Sequence, residues 1–176
     1  KIGLQDLPKA HNFGLKALME VAECRSEMTS YHIGFQIAPR INAAGRMNHA
    51  SVAYRLLATD DPIEAVDLAY ELDQNNQERQ KLTDELFAAA GAQIEPSQQD
   101  QPILFVVGKK WPTGILGLVS GKLKEKYQKP SLVMSESPDT GEFTGSGRSV
   151  RGFNIIETLQ EIADCFVKFG GHPMAC

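Results

Sequence analysis

Apolar residues recur at helical intervals through the first half of the chain and in strand-length runs through the second. Leu15, Leu18, Met19 and Ala22 fall on one face of a helix, with charged residues between them. Thr29 to Phe35 reads as a loop or short helix. Asp61 then offers an N-cap, Pro62 suits the first helical position, and Glu64 completes a capping box. Ala65, Leu68, Ala69 and Leu72 begin an apolar stripe that Leu82, Leu86 and Ala90 resume, whereas Asp73 to Lys81 is almost wholly polar. A helix that loses its apolar face in mid-course commonly crosses solvent between two bodies. Unbroken to Ile94, it would run roughly 50 Å at 1.5 Å per residue. The spacing predicts an interdomain connector, followed by a polar linker bounded by Pro96 and Pro102.

From Ile103 the period changes. Ile103 to Val107 is a continuous apolar strand, and a helix is predicted from about Ile115 to Lys126, stopping before Pro130. Ser131 to Met134 and Glu142 to Arg148 read as two further strands around a turn at Glu136 to Gly141. Asn154 with Glu157 forms an N-cap pair opening a helix to about Asp164. The fold class is α/β. A helical N-terminal part (1–56) and a long connecting helix with its linker (57–102) precede a small α/β domain with a mixed sheet (103–176).

The 176 residues are ample for a core, and no apolar run approaches the ~20 residues of a membrane span. Cys24, Cys165 and Cys176 lie far apart, and His11, His32, His49 and His172 are as scattered. That spacing offers neither a metal site nor a disulfide framework and suits a reducing cytoplasm. The net charge of −4 hides an asymmetry: residues 1–100 carry 9 Lys and Arg against 15 Asp and Glu, the remainder 9 against 7. A mildly basic second half fits contact with a polyanion. The chain begins at Lys1 without an initiator methionine, and the expectation is a piece of a longer protein.

Three segments carry candidate chemistry. In Gly34 to Met47, Arg40 and Arg46 bracket Asn42 and the small-residue step Ala43-Ala44-Gly45. Pro39 fixes φ and Gly45 lets the chain turn, so the arginines would present planar donor forks to a phosphate. The plainer reading is the start of a helix with two surface arginines. In Gly145-Ser146-Gly147-Arg148-Ser149, glycines free backbone amides while Ser146, Ser149 and Arg148 supply hydroxyls and a charge. A glycine-rich hairpin edge would look the same. In Gly170-Gly171-His172 the glycines admit a close strand and the histidine a phosphate or base, or else His172 is structural. Trp111, before Pro112-Thr113-Gly114, reads as core more readily than as a base platform, and the Gly114/Gly117 spacing is too common to carry weight.

In this order the segments resemble the RecJ single-strand-specific exonucleases of the DHH phosphoesterase superfamily. Phe35 to Met47 is similar to that family's Pro-Arg-x-Asn-Ala-x-Gly-Arg motif, and Asp60-Asp61-Pro62 through Gln80 to its long helix. Ser146-Gly147-Arg148-Ser149 before Gly152-Phe153-Asn154 matches another of its segments. Gly170-Gly171-His172 with Ala175 matches the Gly-Gly-His-x-x-Ala signature of the DHH-associated domain. The resemblance implies that 1–56 closes the DHH domain and that 103–176 is the associated substrate-binding domain.

It also implies a protein that degrades single-stranded DNA from the 5′ end in repair and recombination, using Mn2+ or Mg2+. Single-strand-binding protein and a helicase would be its partners. The family's metal-binding motifs lie upstream and are not in this sequence, so the segment alone is expected to be inactive, with no catalytic residue. By the same resemblance Arg46 or Arg40, with Asn42, Ser146, Gly147 and Arg148, would form a 5′-phosphate pocket. Gly170, Gly171 and His172 would line the strand's path. The sequence departs from the family where Pro112, not histidine, follows Trp111. It also stops before elements that complete the associated domain, which predicts an unpaired sheet edge. A DHH-family oligonucleotide phosphoesterase and a non-catalytic nucleic-acid-binding module are the alternatives.

Overall fold

A computed structural model of the chain describes residues 2–9, 11–24, 28–47, 50–94, 98 and 100–176. Most of the predicted linker's first half and His49 fall outside these. The chain divides into two compact units, Lys1–Lys81 and Leu82–Cys176.

The first unit is helical: α1 (Ile2–Asp6), α2 (Phe13–Val21), α3 (Ala38–Met47), α4 (Ser51–Ala58) and the beginning of α5 (Pro62–Ile94). Asn12 starts α2 by accepting the Leu15 N–H at 2.7 Å, and its amide donates to the Leu57 carbonyl at 2.8 Å, joining α2 to the end of α4. Leu18, Leu56 and Leu72 are fully buried, with Ala44, Ala65 and Ala69 among them. Small residues let these helices approach closely. At Gly14 a Cβ would strike the Leu56 backbone.

Two local expectations are corrected. The Arg40–Arg46 stretch does not turn but forms α3, entered through a π-helical turn at His32–Ile37 in which the Ala38 N–H reaches the Ile33 carbonyl. Widening the helix there absorbs the donor that Pro39 lacks, so the chain continues instead of breaking. At the start of α5, Asp61 caps as expected, its Oδ1 accepting the Ile63 N–H at 2.8 Å. Glu64, however, accepts the Thr59 hydroxyl and the Arg55 guanidinium, each at 2.5 Å, while the Asp61 N–H goes to Thr59 Oγ1. Those two bonds, the Thr59 one first, hold the Glu64 carboxyl below its usual range.

Nor is the polar middle of α5 merely solvated. Asn75 and Asn76 are buried. Arg40 Nε donates to Asp73 Oδ1 at 2.8 Å and its Nη1 to the Gln36 carbonyl at 2.7 Å. The two side chains are 18% and 15% exposed, so the pair bolts α3 to α5 from a largely desolvated position.

The second unit takes the rest of α5, with Ala90 and Ile94 fully buried, and adds β1 (Leu104–Lys109), α6 (Thr113–Tyr127), β2 (Ser131–Glu136), β3 (Phe143–Arg148) and α7 (Ile155–Glu161). β1 and β2 are parallel, linked by α6, and β3 returns antiparallel to β2, giving the mixed sheet. Gln128, left-handed at φ 53°, ends α6 two residues before Pro130. Register puts Leu104, Val106, Ser131, Val133, Ser146 and Arg148 on one face. α6 covers it with Ile115, Leu116, Val119 and Leu123, and Ser120 Oγ meets Ser131 Oγ at 2.8 Å.

The expected bare edge is covered along β1 and, on the other side of the sheet, at the end of β3. Along β1, the Gln98 amide bonds both the N–H (2.8 Å) and the carbonyl (2.7 Å) of Phe105. Gln93, near the end of α5, does the same for Val107 at 3.3 and 3.0 Å. A primary amide carries a donor and an acceptor, so each glutamine substitutes for one residue of a neighbouring strand. Along β3, residues 174–176 pair with its end.

Two outcomes are expected. Replacing Gln93 and Gln98 together by alanine should cost about 1–2 kcal/mol in urea unfolding and add concentration-dependent association on sedimentation; an unchanged monomer of unchanged stability would refute the edge-capping role. Asp73→Ala strands the Arg40 charge and should cost about 3 kcal/mol, much of it recovered when Arg40→Met is added; strict additivity of the two would contradict a coupled pair.

Candidate functional site

The nine candidate residues fall in both units. Arg40, Asn42 and Arg46 lie on α3 in the first. Ser146, Gly147 and Arg148 lie at the end of β3 in the second, with Gly170, Gly171 and His172 after α7.

On α3 the small residues between the arginines are the packing face: Ala43 and Ala44 are fully buried, while Asn42 and Arg46 are exposed. Arg40 points inward to Asp73. The two arginines therefore differ in setting, one engaged within the fold and one at the surface.

In the second unit the two motifs come together. The Gly147 N–H donates to the Cys176 carbonyl at 2.8 Å and the Cys176 N–H returns to the Gly147 carbonyl at 3.2 Å. The Ser149 N–H donates to the Met174 carbonyl at 2.9 Å. His172 and Ala175 close a turn through two backbone bonds of 2.7 and 3.0 Å. Gly171 is required there: its φ is 155°, and a Cβ would stand 2.7 Å from Cys176 Cα. Residues 174–176 are thus the short partner of the end of β3, and the Gly-Gly-His stretch turns back on them with the His172 side chain exposed.

Alternation along β3 turns Ser146 and Arg148 to the α6 face and Gly147 to the other. Gly147 is buried, and a Cβ would meet Cys176 Sγ at 2.6 Å and Ile155 Cδ1 at 2.7 Å. Burial there pushes the Cys176 thiol up, less so because of a backbone bond at Gly147 and the Arg148 charge. Ser146 Oγ donates to the Cys176 carbonyl at 2.9 Å. Arg148 Nη1 donates to Ser146 Oγ at 3.1 Å and to the Gly147 carbonyl at 2.7 Å. The guanidinium is held through Nη1, with Nη2 against the Gly117 position of α6; its planar fork of donors is the type that matches an oxyanion. Ser149 is buried, its hydroxyl donating to the Phe153 carbonyl at 2.6 Å, so it closes a loop instead of serving the site.

Trp111 is half-buried over Gly108, where a Cβ would enter the indole ring, and it follows Lys110 at φ 57°. It works as packing. Among the described residues no group of three His, Cys, Asp or Glu could hold a metal ion. Sequence reading missed the Ser146–Cys176 bond and passed over Gly117, which lies against Arg148. A glycine inside a predicted helix was the available signal for the latter.

Residues 99–176 match the DHHA1 domain. Over 175 residues, 99% of its length, the chain is 39% identical to the single-stranded-DNA-specific exonuclease RecJ of Bacillus subtilis, covering 22% of that protein. It is 33% identical over 171 residues to RecJ of Escherichia coli, 92% of this chain and 30% of that one. The chain thus spans about a quarter to a third of these relatives. A crystal structure of RecJ in complex with Mg2+ from Thermus thermophilus superposes with a TM-score of 0.88 at 28% identity, covering 98% of this chain and 26% of the other. A structure of exonuclease RecJ bound to manganese superposes at 0.82 and 29%, covering 98% and 42%. In sequence and in fold, the chain is similar along nearly its whole length to a segment of RecJ exonucleases, and its residues 99–176 match the DHHA1 domain.

Proposed function

We propose that this chain is the substrate-gripping segment of a single-stranded-DNA-specific 5′→3′ exonuclease acting in cytoplasmic DNA repair and recombination. The carrying observation is the likeness to RecJ along 92–99% of the chain. An appended nucleic-acid-binding module would share only the part from residue 99 onward. In this reading residues 1–56 belong to the phosphoesterase domain, and 103–176 are the domain that holds the strand. Mn2+ or Mg2+, with which related structures were obtained, would be held by another part of the protein. Single-strand-binding protein and a helicase would deliver the strand.

Arg148 supports the reading most directly. A terminal phosphate is a dianion at neutral pH, and a 5′-end enzyme gains selectivity by rewarding the charge that internal phosphodiesters lack. A guanidinium anchored through Nη1 can meet its oxygens without first becoming ordered. In the first unit, Arg46 lies at the surface, where a phosphate can reach it, whereas Arg40 is largely buried against Asp73. Gly170, Gly171 and His172, on the surface next to β3, suit the passage of a strand.

Arg148→Ala should weaken binding of 5′-phosphorylated single-stranded DNA about 10–100-fold, the size of a charge-assisted bond, and that of the 5′-hydroxyl strand only a few-fold. Fluorescence anisotropy with matched oligonucleotides measures both. Equal losses at the two ends would make Arg148 a general backbone contact.

A further inference from the structure

Gly117 lies within α6, in helical conformation and away from either end of the helix. Glycine is a poor helix former, and no positive φ calls for it here. Its neighbours do. A Cβ at this position would stand 2.7 Å from Arg148 Nη2, 3.1 Å from Ser146 Oγ and 3.4 Å from Arg148 Cζ. The helix therefore meets the guanidinium where only a hydrogen fits. Beside the same helix position Ser146 Oγ accepts from Nη1 of that group, and its one hydroxyl hydrogen is engaged by the Cys176 carbonyl.

We infer that Gly117 and Ser146 form a seat that fixes the Arg148 guanidinium, and that this seat sets the discrimination between a 5′-phosphate and a 5′-hydroxyl end. Both act as positioning residues. Ser146 presents a lone pair to Arg148 and sends its proton to Cys176, and so orients the arginine. Gly117 leaves the group room to lie against α6, with Nη2 the atom nearest the helix. An alanine methyl would displace the head, and the fork would lose its fixed direction while keeping its charge. This rests on the phosphate-binding reading for its functional half and on packing for the rest.

The test is a cycle of Gly117→Ala, Ser146→Ala, Arg148→Ala and the Gly117→Ala/Arg148→Ala double variant in the whole chain. Each is titrated with a short oligothymidylate bearing a 5′-phosphate or a 5′-hydroxyl. Gly117→Ala should lower the ratio of the two affinities roughly tenfold, chiefly by weakening the phosphorylated strand. The double variant should be no worse than Arg148→Ala alone, because a seat without its occupant has no effect. Ser146→Ala, which removes an atom and cannot clash, should lower the ratio in the same direction. Additive losses, or an unchanged ratio in Gly117→Ala and Ser146→Ala, would overturn the proposal. A separate readout is the 15Nε–H resonance of Arg148, expected to move toward that of a solvated arginine in both single variants. If the parent chain does not distinguish the two ends, the phosphate reading falls and this resonance alone judges the seat; no movement would refute it.

Discussion

The second unit depends on β3 being paired along one side and at its end on the other. Two of its six residues are glycine, which weakens a strand that must stand alone. Full registration with β2 on one side and the Gly147–Cys176 exchange on the other supply the order that composition withholds. A slip of one residue would turn Ser146 and Arg148 away from α6 and bring Gly147 under it. Ile155 and Cys176, packed where a Gly147 side chain would be, oppose that slip sterically. Two segments nearly thirty residues apart in sequence therefore form one structural object, and the chemistry of Arg148 is inherited from it.

The first unit solves a different problem. Its helices carry many alanines, which bury little surface each but permit close packing. The specificity that large side chains would give comes instead from a few polar fastenings: Asn12 to Leu57, Arg55 and Thr59 to Glu64, Arg40 to Asp73. Each joins the end or flank of one helix to another. In an alanine-rich interior such directional contacts select one arrangement among several of similar density.

The sequence was informative where periodicity and caps decide structure. The long helix, its Asp61 cap, the Asn154 cap and all three strands follow from patterns that act over a few residues. It was silent where the outcome depends on a distant partner. Glu64 had the spacing of a capping box, but Thr59 and Arg55 competed for its carboxylate and won. Pro39 and Gly45 looked like a turn, yet a π-helical widening kept the helix going. Gln93 and Gln98 read as ordinary polar surface, because nothing local reveals that a strand edge lies within reach. At the site, Ser146 and Arg148 were visible as chemistry, whereas Gly117 was not, since an absent side chain has meaning only beside what fills its space.

The glutamines along β1 separate two notions of a domain. The family pattern begins at residue 99, after both of them. The compact body begins at Leu82 and needs Ala90 and Ile94 for its interior as well as the amides of Gln93 and Gln98 for its border. What evolution copies from protein to protein as a DHHA1 module is thus smaller than what folds here. Wherever that module is inherited in another chain, something in the new host must take over the hem that this helix sews along β1, and the preceding segment of such a chain is the place to look for it.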